Sequence, residues 1–175
     1  MKIGILTFYR VPNYGAMLQA YALRAYLENR GHSVCFINYP FPTTFRPSYP
    51  WKMLDRRLNF KRAKLKAYYD YGMTEFARLY PQTVLSTTFE ELSNQAKAFD
   101  VVIVGSDQMW NPKWTSHEML PLVFLGFVDD SIAKISYAAS FGVARWDRDD
   151  AMEVGRWLRR FAAISVREQS GVEMR

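Results

Sequence analysis

The sequence predicts a doubly wound α/β fold: a mainly parallel, Rossmann-like sheet with helices on both faces. Three observations predict it. Strand-like and helix-like segments alternate along the chain, the pattern of consecutive βαβ units. The clearest strand, Asp100-Val101-Val102-Ile103-Val104-Gly105, is apolar on both faces, and such strands lie under helices on both sides. The chain has 175 residues, 49% of them hydrophobic, which suits one domain with a sizeable core.

Each element has its own local warrant. Ile3 to Tyr9 is a near-continuous apolar run and reads as a central strand. Asn13 is placed to cap a helix from about Tyr14 to Arg30, with Ala16, Ala20, Leu23 and Leu27 on one face and Gly31 at its end. Val34 to Asn38 reads as the second strand. Pro40, Pro42, Pro47 and Pro50 then break the pattern. The stretch from Trp51 to about Tyr80 reads as helical, aromatic and basic, so 40–85 is expected to be an insertion on the α/β core. Thr88-Phe89-Glu90-Glu91 is a capping-box pattern that opens a helix to about Ala98. The strong strand follows, then another at about Lys134 to Ala138. Asp147 is expected to cap a helix with Asp149 and Asp150 in its first turn, Arg159 and Arg160 in its last, and a stripe of Ala151, Val154, Leu158 and Phe161. Ala162 to Ser165 reads as a short buried strand. Ser165-Val166-Arg167-Glu168 reads as a second capping box that opens a last helix. The expected domain spans 1–165, and 166–175 starts a helix leading toward a second domain.

Composition narrows the function classes. A chain with 16% aromatic residues is not globally disordered. No apolar run approaches the roughly 18 residues that span a bilayer, and the N-terminus lacks a signal-peptide pattern. One cysteine, Cys35, excludes an internal disulfide and fits a reducing cytoplasm. With His32 and His117 as the two histidines, no metal-ligand spacing is visible, and no metal site is expected. The net charge is +6, with Arg56, Arg57, Lys61, Arg62, Lys64 and Lys66 in one segment. That segment reads either as a solvated helix face or as an attraction for anionic partners such as a membrane surface. No nucleic-acid motif accompanies it.

Open α/β sheets bind ligands beyond the carboxyl ends of their strands. After the first strand, Arg10, Asn13, Tyr14 and Gly15 lead into a helix N-terminus that can receive an anion; the plainer reading is that Asn13 caps and Gly15 eases packing. After the strong strand come Ser106, Asp107, Gln108, Trp110 and Asn111. Asp107 can accept from sugar hydroxyls or act as a base, and Trp110 can stack on a sugar ring. The alternative is a polar turn with Trp110 in the core. Ser140 and Gly142 either line a cleft or allow tight packing. Arg167 sits in the first turn of the expected last helix, the wrong end for a cation, which hints at function or at a solvent-facing side chain.

Taken together, these segments resemble the polysaccharide pyruvyl transferase family. The likeness is carried by Ile3-Gly4-Ile5-Leu6-Thr7-Phe8, by Asn13-Tyr14-Gly15-Ala16-Met17-Leu18-Gln19-Ala20-Tyr21-Ala22-Leu23, and by Phe99 through Asn111. It continues at Phe124-Leu125-Gly126-Phe127, at Ile135 through Gly142 and at Ile164-Ser165-Val166-Arg167-Glu168. The resemblance implies a two-domain, GT-B-like architecture of which this chain is the N-terminal half. It implies transfer of a pyruvyl group from phosphoenolpyruvate to a sugar of a cell-surface polysaccharide or its lipid-linked precursor, with no cofactor beyond that donor. The partners implied are the saccharide acceptor and a second domain of the same protein, with the work done in the cytoplasm or at the inner face of the membrane. On this reading Asp107 is the base. Arg10, Tyr14, Gly15 and Arg167 meet the donor's anionic groups, and Gln108, Trp110 and Asn111 touch the sugar. A GT-B-like glycosyltransferase using a sugar nucleotide, and a non-catalytic saccharide-binding module, are the competing expectations.

Overall fold

The computed structural model describes residues 1–11, 13–41, 71–72, 74–145 and 148–173, with side chains of the helix that begins at 148 described from 151 onward. Its strands are β1 (Lys2–Leu6), β2 (Ser33–Phe36), β3 (Val101–Asp107), β4 (Ala133–Ala139) and β5 (Ala163–Val166). They form one sheet in the order β2-β1-β3-β4-β5, and every neighbouring pair is parallel. Its helices are α1 (Tyr14–Glu28), α2 (Phe89–Ala96), α3 (Leu120–Val123), α4 (Arg148–Leu158) and α5 (Gln169–Glu173). The fold is α/β and Rossmann-like.

The two-residue period of a strand divides the core in two. Ile3 and Ile5 of β1, with Val101 and Ile103 of β3, face Met17, Ala20 and Leu23 of α1. Leu6, Val102 and Val104 face the other way, toward Leu92 and Ala96 of α2, Leu120, Leu122 and Val123 of α3, and Val154 and Leu158 of α4. This is why the strong strand is apolar at every position: it has two cores to fill.

α1 begins where expected. Asn13 has extended backbone and its side chain accepts from the Ala16 amide at 3.2 Å. α2 opens with the full capping box, Thr88 and Glu91 each accepting from the other's backbone amide. β1 is shorter than the apolar run that announced it. Its ladder stops at Leu6, and Phe8 and Tyr9 continue the run because they plug opposite cores at the strand's end.

Several expectations are corrected. The capping box at Ser165–Glu168 does not form. Ser165 lies inside β5, where its amide and carbonyl both engage the Ser136 hydroxyl, at 3.1 and 2.9 Å. Glu168 instead accepts from the Phe141 and Gly142 amides, at 2.7 and 3.1 Å, and the last helix starts at Gln169. β5 is a half-exposed edge strand rather than a buried one. Arg159 and Arg160 lie just beyond α4, and Ala151 is exposed. Residues 117–123, not expected to be helical, form a 3-10 turn that runs into α3. Among the described part of 40–85, residues 71–72 and 74–78 are helical. Ala77 and Tyr80 are buried against α1, and Gln82 bridges Phe36 in parallel at the sheet edge. The basic cluster from Arg56 to Lys66, Asp147, and the side chains of Asp149 and Asp150 lie outside the described residues. No described helix is long and apolar enough to cross a membrane.

Candidate functional site

The strand order reverses its direction of growth between β1 and β3. From β1 the chain moves outward to β2; from β3 it moves the other way, to β4. The connections leaving the two carboxyl ends therefore part, and a crevice opens between them. A cavity of about 210 Å³ lies there. Phe8, Val11, Asn13 and Ala16 line it from the β1–α1 side, and Asp107, Gln108 and Trp114 from the β3 side.

Asp107 is the last residue of β3 and has φ +117°. Its backbone and its side chain are each held by one bond. Its carbonyl accepts from the Ser140 amide at 2.9 Å, and its Oδ1 accepts from the Gln108 amide at 2.7 Å. Its other carboxyl oxygen has no hydrogen-bond partner among the described residues. Burial pushes the Asp107 carboxyl above the usual carboxylate range, while the Gln108 amide and the charge of Arg167 pull it partly back. A half-buried carboxylate with one oxygen open and a raised pKa suits proton abstraction from a hydroxyl.

The residue before it is locked from below. The Ser106 hydroxyl donates to Gln19 Oε1 at 2.9 Å, and its carbonyl accepts from Thr7 Oγ1 at 2.8 Å. Gln19 Nε2 donates to Thr7 Oγ1 at 3.0 Å and to the Ala16 carbonyl at 2.7 Å. One amide side chain on α1 thus ties the ends of β1 and β3 together. Gly105 supports the same turn at φ +108°, where an added Cβ would run into the Tyr137 carbonyl.

The structure separates the predicted residues into three groups. Asn13, Asp107 and Gln108 meet at the cavity, with Arg167 exposed and close enough to act on Asp107 electrostatically. Ser106, Asn111 and Ser140 are buried supports. Asn111 donates to Gln108 Oε1 at 2.8 Å and accepts from the Lys113 amide at 2.9 Å. Ser140 donates to Glu168 at 3.1 Å. Trp110 corrects the expectation of a sugar-stacking face. It is 0% exposed, stacked on Phe124 at 4.9 Å, and its indole donates to the Val123 carbonyl at 2.9 Å. Arg10, Tyr14 and Gly15 do not border the cavity; Arg10 donates to Asn38 Oδ1 at 2.8 Å.

Sequence reasoning did not single out Trp114, Thr7, Gln19 or Glu168 as parts of a site. Trp114 carried one usable signal, an aromatic in a polar loop with no strand or helix partner at regular spacing. The supports carried none, because their partners are distant in sequence.

The model of the family described as polysaccharide pyruvyl transferase matches residues 13–175. That span contains Asn13, Ala16, Gln19, Asp107, Gln108, Trp114 and Glu168. No curated protein and no solved structure matches the chain.

Proposed function

The chain belongs to the polysaccharide pyruvyl transferase family, and from that premise we propose that it moves a pyruvyl group from phosphoenolpyruvate to a sugar of a cell-surface polysaccharide or its lipid-linked precursor. The cavity between β1 and β3 takes the acceptor sugar, and Asp107 is the base. The observation that carries this reading is the open oxygen of a half-buried Asp107 on the cavity wall.

The chemistry follows from the groups present. Asp107 accepts the proton of an acceptor hydroxyl as its oxygen bonds the central carbon of the enol. The terminal methylene carbon takes up a proton from water, which completes a methyl group. A second hydroxyl of the same sugar then bonds the same carbon as the bond to the phosphate oxygen breaks; its proton leaves with the phosphate, and the product is a cyclic ketal. The donor brings a carboxylate and a phosphate, so it needs cations and N–H groups nearby. Arg167, Arg10 and the α1 N-terminus at Tyr14 and Gly15 are the candidates on this chain. Trp114 replaces Trp110 as the aromatic wall for a sugar ring.

The test is transfer from phosphoenolpyruvate, followed by release of phosphate and formation of the ketal. Asp107→Asn is expected to lower the rate about 10²–10⁴-fold with folding intact. An undiminished rate rejects Asp107 as the base. A glycoside and a free nucleotide as products would replace this reaction with glycosyl transfer.

A further inference from the structure

Gln108 borders the cavity beside Asp107, and its amide is oriented by two independent donors. The first clamp starts from a backbone group whose polarity is certain. The Lys113 N–H donates to Asn111 Oδ1 at 2.9 Å, so Asn111 must turn its Nδ2 toward Gln108, where it donates to Oε1 at 2.8 Å. The second clamp is the Trp114 indole, which can donate but not accept and reaches the same Oε1 at 2.7 Å. Both lone-pair directions of that oxygen are filled. The Gln108 nitrogen keeps two N–H groups that have no hydrogen-bond partner among the described residues.

The clamp is itself braced. Gly142 has φ +61°, and a Cβ there would run into the Asn111 amide. The Glu168 carboxylate holds the Phe141 and Gly142 amides in place. Bracing on this scale fixes one amide plane at the edge of a small cavity.

We infer that Gln108 is a specificity-determining residue: its clamped nitrogen donates to an acceptor hydroxyl oxygen next to the hydroxyl that faces Asp107, so the cavity selects sugars with two neighbouring hydroxyls. The inference rests on the acceptor reading above and adds the residue that reads the second hydroxyl. Asp107, with an acceptor oxygen, and Gln108, with a donor nitrogen, line the same cavity, which matches a pair of hydroxyls used once as donor and once as acceptor.

Gln108→Glu tests it cleanly. The glutamate keeps an oxygen for Asn111 and Trp114 and exchanges the remaining N–H groups for a second oxygen. The probes are methyl hexopyranosides of gluco, galacto and manno configuration, followed by the monodeoxy derivatives of the one bound most tightly, titrated by ligand-observed NMR. The native chain is expected to lose about tenfold in affinity when one particular hydroxyl is removed. In Gln108→Glu the parent sugar is expected to weaken by about the same factor and to lose its advantage over that deoxy derivative, with the thermal midpoint unchanged. Trp114→Phe keeps the ring but removes one clamp, and is expected to lower the same discrimination; it serves if the glutamate variant does not fold. Native discrimination in either folded variant overturns the inference and leaves the acceptor reading standing. If the native chain binds none of the glycosides, both fall together.

Discussion

The two edges of the parallel sheet treat their charged groups in opposite ways. At the amino edge, Lys134 at the start of β4 is 1% exposed, yet its ammonium donates to the Asp129 carbonyl at 2.9 Å and to the Asp130 carboxylate at 2.8 Å. Arg160 reaches the same carboxylate and also donates to the Val128 carbonyl, both at 2.9 Å. The buried ammonium and the Arg160 guanidinium are thus both paired with one oxygen of an exposed carboxylate, Asp130 Oδ1. At the carboxyl edge, Asp107 is more buried than Asp130 but has one oxygen bonded and one open, and Gln108 has its oxygen filled and its nitrogen open. The buried cation at the amino edge is paired, whereas at the crevice a carboxylate oxygen and an amide nitrogen have no partner among the described residues. Polar groups left without a protein partner on a cavity wall are available to a ligand.

The comparison can be broken or sharpened by substitution. The largest effect is expected between the edges. Ile103 is 6% exposed in the middle of β3, and Ile103→Ala should cost about 2–5 kcal/mol in urea unfolding. A near-neutral result would mean the sheet does not organise both edges. Next, Lys134→Ala should cost about 1.5–3 kcal/mol and leave sugar binding by the folded chain unchanged. Lost binding with intact stability would put function at the amino edge and end the contrast. A smaller cost, about 1 kcal/mol, is expected for Thr88→Ala. Its capping box lies at the carboxyl end of the sheet but is satisfied within itself, so it should behave as support.

The pH dependence should differ in sign between the two aspartates. Burial raises Asp107, so its favourable contribution to folding is whole below the ordinary aspartate pKa of about 3.9. It is lost as pH rises through the raised value. Asp107→Asn should therefore remove a fall in stability on that rising limb. Lys134 and Arg160 hold Asp130 low, so its contribution is present above the ordinary value and lost as pH falls through the lowered one. Asp130→Asn should flatten the acid limb instead. Thermal midpoints across pH 2–7 read both; equal slopes in the two variants would contradict the assigned surroundings.

The sequence by itself determined a great deal here. Alternating apolar segments decided the fold class, since a strand apolar on both faces has no stable place except between two layers of helices. Asn13 and Thr88 marked helix starts because capping is a local bond between residues three apart. Asp107 and Gln108 were legible as candidate site residues because a strong strand ends there and ligands bind beyond such ends.

Tertiary structure decided the rest, for one physical reason: a side chain's role depends on which distant group satisfies it. Trp110 and Trp114 share a loop and a residue type, but Phe124 and the Val123 carbonyl draw the first into the core and leave the second on the cavity wall. Ser165 and Glu168 have capping-box spacing, yet Ser136 and the Phe141–Gly142 amides engage them first. Gln19 and Ser106 are 87 positions apart and meet only because β1 and β3 are neighbours in the sheet. Local bonds can be read from spacing; the crevice and the open groups beside it exist only once the strands have chosen their order.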